Sequence, residues 1–309
     1  MNLFFYIILF IFGLAIGSFL NVVALRYLPG QKLLSLKTIG GLAERGQSPA
    51  KRGGRSACPH CRKTLHWYEL IPIVSFFIQA GKCRSCGHKL SWQYPIVELL
   101  SGLFFVALPF FFLGGVQFSV FNYYLIGFWA VWILALLVLL LISLIDFRNF
   151  FVPDELILVL IFLGFISIFL VSRSPGLGIK LINHSFLLQY ALVFSFSWLG
   201  NIWVNHLFAA LAAGIFFGIL FYFWKGKILG GGDVKLGFAL GLLLGWPDIL
   251  MALIIAFILG GLAGLILMIT RKKTMKDFLP LAPFLAIGVA LTVFFGYQII
   301  NGYFSLIGL

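Results

Sequence analysis

Eight apolar runs, at approximately 3–25, 95–113, 122–145, 155–171, 204–224, 234–247, 249–270 and 280–304, constrain this chain more than any other feature. A run of about 20 apolar residues is long enough to cross a hydrocarbon core as a helix. A helix also satisfies its own backbone polar groups where there is no water to do so. The chain is 62% hydrophobic and 10% charged, which excludes an ordinary soluble globular protein. The fold class expected is therefore an all-α polytopic membrane protein of about eight transmembrane helices, the sixth of them short. The first run lacks a basic start and a small-residue cleavage site, so it reads as a retained span and not as a removable signal peptide.

Basic residues accumulate in cytoplasmic loops. With the N-terminus outside, the inside segments are 26–94, 146–154, 225–233 with Lys235 just beyond, and 271–279; these hold 20 of the 22 basic residues, leaving Arg173 and Lys180 outside. The net charge of +13 then reads as topology plus attraction to anionic lipid heads, and not as nucleic-acid binding. The stretch "SFLLQYALVFSFSWLGN" (185–201) is apolar enough to be a ninth span. A ninth span would invert every later loop and break the charge asymmetry, so this stretch is placed on the outer face as an interfacial or re-entrant piece.

Three parts follow: a first transmembrane helix (1–25), a cytoplasmic insert (26–94), and a helix bundle (95–309). The insert carries all four cysteines, in "CPHC" (58–61) and "CRSC" (83–86), with 21 residues between the pairs. Two C-x-x-C knuckles present four thiolates in the way a structural tetrahedral zinc is held. Disulfides are the alternative, and the reducing side of the membrane argues against them. One zinc per chain is expected on Cys58, Cys61, Cys83 and Cys86, with His60 a bystander. The run Arg45, Lys51, Arg52 and Arg55 faces lipid heads or solvent.

The nine acids separate by position. Glu44 and Glu69 read as solvated, Asp248 as a helix cap in an outer turn, and Asp277 as an ion-pair partner among lysines. Carboxylates in or at membrane helices are costly unless paired, hydrated or useful. Asp154 and Glu155, in "VPDEL", read as first-turn acids, where the helix dipole favours them. Glu98 lies one turn into the second helix and either plays that same part or acts at the face of the insert. Asp146 differs, because it ends a long apolar run where the helix dipole disfavours an acid. Asp233 follows Gly230, Gly231 and Gly232. A helix cap explains the aspartate and one glycine but not three.

Asp146 and Asp233 both fall at cytoplasmic helix ends, at one membrane depth, so the two can meet. A facing pair shares a proton: the ionised member can take a proton from water while the protonated member polarises a carbonyl. A glycine-rich approach lets backbone come close to a substrate strand. Lys235 either neutralises local charge or anchors at lipid heads. Asp154, Lys235 and Glu98 are auxiliary candidates. A proton-coupled transporter using Asp146 and Asp233 as a relay is the competing function; it calls for acids near the midplane on broken helices, or an internal repeat. A noncatalytic assembly scaffold has no use for two aspartates at one depth.

The chain resembles the type IV prepilin peptidases, membrane aspartyl proteases with a G-x-G-D motif, over nearly its whole length. The resemblance rests on "GSFLNVVALRYLP" (17–29), the two cysteine pairs with "YPIVELLSG" after them, "IDFRNFFVPDEL" (145–156) and "GGGDVKLGFALGLLLGW" (230–246). It implies a bifunctional enzyme of the inner membrane that cuts the basic leader from prepilin or pseudopilin substrates at the cytoplasmic face and then N-methylates the new N-terminus. It implies Asp146 and Asp233 as the catalytic pair, no metal in the peptidase step, S-adenosylmethionine as methyl donor, and the cysteines in support of methylation. Oligomeric state is not implied. Valine stands at 152 where the family commonly has isoleucine, and the apolar insertion around 185–201 is a larger departure.

Overall fold

A computed structural model of the chain describes residues 3–27, 56–58, 60, 61, 63–113, 123–173, 200–224, 229–271 and 278–307. The basic run Arg45–Arg55, Glu44, Asp277 and all but the last two residues of 185–201 lie outside the described residues. Each of the eight apolar runs forms a helix: α1 (Leu3–Arg26), α3 (Gln93–Leu113), α4 (Tyr123–Asn149), α5 (Asp154–Arg173), α6 (Ile202–Phe223), α7 (Gly231–Leu244), α8 (Asp248–Ile269) and α9 (Ala282–Ile307). A 3-10 turn, Trp67–Leu70, and a short helix α2, Val74–Ile78, lie between α1 and α3. No named strand occurs among the described residues; the two cysteine knuckles are pinned by isolated bridges between Ala57 and Thr64 and between Lys82 and Lys89.

Among the described residues, six helices are long and apolar enough to cross a membrane: α1, α3, α4, α5, α6 and α8. Helix α9 runs 26 residues, Ala282–Ile307. Helix α7 has 14 residues, about 21 Å at 1.5 Å per residue, short of a hydrocarbon core of about 30 Å.

The chain forms two compact units, 1–118 and 119–309. In the first, α1 packs along α3. Glycines set the spacing: a Cβ on Gly13 would stand 2.7 Å from Gly102 Cα, and one on Gly17 2.7 Å from Glu98 Cα. Ser101 uses the closeness, donating its hydroxyl to the Gly13 carbonyl at 2.7 Å. Small residues four apart let membrane helices approach until backbone meets backbone.

In the second unit α7 is the centre, packed chiefly against α6 and α5 and lightly against α8; α5 continues to α4, α4 to α9, and α9 to α8. From Leu236 to Leu244 every residue of α7 except Phe238 is buried, as expected of a helix that is apolar on all sides. Here too a pair of glycines four apart makes the contact. Gly237 lies under the Phe217 ring of α6, and a Cβ on Gly241 would sit 2.6 Å from Ala210 Cα. Past the C-terminus of α7, Asn205 of α6 braces the chain, donating to the Trp246 carbonyl at 2.9 Å and accepting from its N–H at 2.8 Å. Asp248 is the first helical residue of α8, in its first turn, with Pro247 at the N-cap position. It makes no side-chain cap, unlike the sequence-based expectation, because the cap falls one residue earlier.

Gly241→Val is expected to force α6 from α7 and destabilise the second unit by about 1–3 kcal/mol, the usual range for overpacking. A lower thermal midpoint in detergent, against no change for Gly231→Ala in open space, is the check.

Candidate active site and metal centre

Asp146 lies in the last turn of α4 and is buried, 5% exposed. The end of its own helix repels it, so a donor from elsewhere is needed, and α9 provides one: the Ala282 N–H donates to Asp146 Oδ2 at 3.1 Å. Ala282 is the first residue of α9, where N–H groups lack intrahelical partners and the helix dipole is positive. Ala282 was not among the candidates read from the sequence. Its signal was the pair Pro280 and Pro283, since proline is favoured beside a helix start.

Asp233 is the third residue of α7, with Gly230 as N-cap. This corrects the cap reading of Asp233 itself. Its Oδ2 accepts the Gly230 N–H at 3.1 Å, which is the acid's half of a capping box; glycine has no side chain with which to return it. The two aspartates come from helices joined through α5 and are close enough for the Asp146 charge to act on Asp233. Each carboxylate thus has one oxygen held by a backbone N–H at a helix start.

The three glycines do different things. Gly230 donates to Asp233, and a Cβ on Gly232 would press on Val152 Cβ at 3.1 Å. Gly231 faces open space, with nothing within 4 Å of where its Cβ would be. None of the three has a positive φ, so the backbone conformation itself does not demand glycine.

Asp154 opens α5, as its sequence context suggests, and pairs with Lys235: Nζ lies 2.8 and 2.9 Å from its two carboxylate oxygens. Both side chains are more than half exposed, so the pair contributes at most about 1 kcal/mol. It does tie the start of α5 to the start of α7. Lys235 therefore neutralises an acid.

The end of α4 adds a residue that sequence reasoning missed. Asn149 stands three residues after Asp146, on the same side of the helix, and its buried Nδ2 has no hydrogen-bond partner among the described residues. Phe150 then turns the chain at φ 52°, donating its N–H to the Asp146 carbonyl at 2.9 Å. Positive φ in a bulky residue is strained.

In the first unit, Glu98 is buried and accepts the Ile73 N–H at 2.7 Å, with a second hydrogen bond from Ser18. It therefore touches the insert. The cysteines form one cluster: the Sγ atoms of Cys58, Cys61, Cys83 and Cys86 all lie within 4.8 Å of one another. All four are free thiols, with Cys58 to Cys86 at 3.9 Å and Cys61 to Cys83 at 4.0 Å. A tetrahedral zinc with bonds of about 2.3 Å requires sulfur separations of about 3.8 Å, so the donor set fits such an ion with little movement. The backbone N–H groups of Cys86 and Ser85 hold the Cys83 thiol down to about 7, which favours the thiolate that a metal takes. His60 stands outside the cluster, stacked on His88 at 4.5 Å.

A helical protein with membrane-length helices thus holds two carboxylates, Asp146 at the end of α4 and Asp233 at the start of α7, on backbone N–H groups at helix starts. Residues 11–112 match the bacterial peptidase A24 N-terminal domain, and residues 133–265 match the type IV leader peptidase family. The chain belongs to the type IV leader peptidase family. Among relatives called prepilin leader peptidase/N-methyltransferase, that of Bacillus subtilis is 31% identical over 97% of this chain and 98% of its own length. Those of Burkholderia pseudomallei and Pseudomonas aeruginosa are 31% and 30% identical, covering 94% and 96% of this chain and 87% and 92% of their own. No solved structure matches the chain.

Purified protein is expected to carry about one metal ion per chain, and much less in Cys58→Ser or Cys83→Ser, by elemental analysis. Metal-free protein containing two disulfides would contradict the cluster described here.

Proposed function

We propose that this protein is a bifunctional prepilin leader peptidase and N-methyltransferase of the plasma membrane, acting at the cytoplasmic face on prepilin or pseudopilin substrates. What supports the proposal is that Asp146 and Asp233 stand within electrostatic reach of each other in a chain of this family, each with one oxygen held by a backbone N–H. In cleavage, the ionised member of the pair takes a proton from a water molecule, which attacks the scissile carbonyl. The protonated member donates to the carbonyl oxygen as charge develops there. Collapse of the tetrahedral intermediate breaks the C–N bond, and the leaving amine takes up a proton from the pair. No metal is needed in these steps. Gly231, open to solvent, leaves room for a substrate strand to pass close to the backbone.

Zinc is the metal proposed for Cys58, Cys61, Cys83 and Cys86, one per chain and structural, because four thiolates suit it and leave no open position for catalysis. S-adenosylmethionine, when bound, supplies the methyl group to the new N-terminal amine. The insert 26–94 is assigned to methylation and the helices beyond it to cleavage. The excess of basic residues in 26–94, 146–154, 225–235 and 271–279 supports the cytoplasmic placement. A proton-coupled transporter finds no support in the family or in the placement of the acids.

Asp146→Asn and Asp233→Asn are each expected to lower cleavage of a prepilin by at least about 100-fold, the scale of losing acid–base catalysis, in protein that still inserts and binds metal. Asp154→Asn removes only an exposed pair and should cost less than about 10-fold. Full-strength cleavage by either dyad variant would refute the pairing.

Removing the metal should unfold an insert with little apolar core while leaving the helix bundle packed. A Cys61→Ser Cys86→Ser variant is therefore expected to lose methyl transfer to a precleaved pilin before it loses cleavage, both measured in one membrane preparation. Loss of cleavage with methylation intact would reverse the assignment.

A further inference from the structure

Between the two cysteine knuckles the chain leaves an apolar surface uncovered. Trp67 is 78% exposed, and on α2 Val74, Phe77 and Ile78, at positions i, i+3 and i+4 of one helical face, are 50%, 61% and 67% exposed. Phe76 turns the other way and is buried. An apolar surface of this kind on a water-facing domain marks a contact with something apolar.

Two contacts within the same unit fix how deep this surface lies. Trp92 stands immediately before the apolar span of α3, which begins at Gln93, and its ring touches Phe76 at 5.0 Å and Phe77 at 6.4 Å between centroids. Rings in contact share a level, so α2 sits where α3 enters the membrane. The second contact is deeper. Ile73, the N-cap of α2, donates its N–H to Glu98 at 2.7 Å. Glu98 is five residues into α3, about 7.5 Å along the helix from Gln93 at 1.5 Å per residue. That is the depth, about 5–10 Å, at which interfacial helices bury their apolar face. Ile73 has φ 59°, strain in a β-branched residue that the Glu98 hydrogen bond holds in place where the chain turns.

The composition around the surface agrees. Residues 56–92 contain five basic residues, Arg62, Lys63, Lys82, Arg84 and Lys89, against the single acid Glu69. Arg84 lies over the Tyr68 ring at 5.3 Å. Tryptophan and tyrosine at headgroup level, beside lysine and arginine, form the ordinary signature of an interfacial anchor.

We propose that Trp67–Ile78 is a membrane-interface wedge: the apolar face of α2 and Trp67 insert among the headgroups of an anionic bilayer, and Glu98 fastens the wedge to α3 through Ile73. Its occupant is lipid. The wedge holds the tetracysteine insert down on the membrane surface instead of leaving it tethered in water.

The test uses the full chain in bilayers of mixed zwitterionic and anionic phospholipid, with p-benzoylphenylalanine replacing Phe77, Ile78 or, as the control on the cysteine lobe, exposed Thr64. After irradiation, mass spectrometry of the peptides should find phospholipid adducts at 77 and 78 at least about five times as often as at 64. Metal content equal to the unmodified protein establishes that each variant is folded. Adducts at 77 and 78 no more frequent than at 64 would overturn the proposal. So would adducts formed instead with another part of this chain, with a second copy, or with an added prepilin.

Discussion

A carboxylate at the edge of a hydrocarbon layer must be given donors, and here the donors are backbone N–H groups at the starts of helices. Ala282 at the head of α9 holds Asp146, and Gly230 at the head of α7 holds Asp233. Ile73, at the head of the short α2, is held by Glu98. Such groups are unpaired in the helix and lie at its positive end, so one arrangement satisfies the backbone and stabilises the acid together. Asp146 shows why this matters most. It sits at the wrong end of its own helix and depends on a residue 136 positions away.

An arrangement of this kind requires helices whose ends are placed to within a few tenths of an ångström, and the small residues supply that placement. With glycine at 237 and 241, α7 lies directly on the backbone of α6, and its length of 14 residues puts one end at Asp233 and the other at the Asn205 brace. A longer or side-chain-spaced helix would put Asp233 elsewhere. The ion pair of Lys235 with Asp154 adds little energy, but it links the heads of α5 and α7 at the surface. Packing sets the coarse position, and the pair limits how far the two helix starts can drift apart.

Much of this was legible in the sequence, for identifiable reasons. Long continuous apolar runs announce helices because a helix satisfies its own backbone inside a bilayer while barrel strands alternate in polarity, so all eight appear within a few residues of where they are read. The C-x-x-C spacing brings its thiols together because a knuckle is a local structure. Asp146 and Asp233 stood out because an acid at the end of an apolar run is costly unless something holds it. What was not legible is contact between segments far apart. Nothing local in "PLAP" says that Ala282 faces Asp146, and nothing in "YPIVELL" says that Glu98 reaches Ile73. The glycines at 230–232 divide in the fold: one is a cap, one a packing contact and one faces open space.

Asn149 shows how the structure carries the reasoning further than the motif can. A buried amide nitrogen without a partner is expensive, roughly 1–3 kcal/mol, and native proteins rarely keep one without cause. Phe150, next to it, holds a positive φ that a glycine would adopt without strain. Both costs fall within four residues of Asp146, at the end of a helix that also buries the Trp129 and Trp132 indole nitrogens without a partner among the described residues. Strain and an amide without a partner among the described residues thus fall together at this one helix end, beside the buried Asp146.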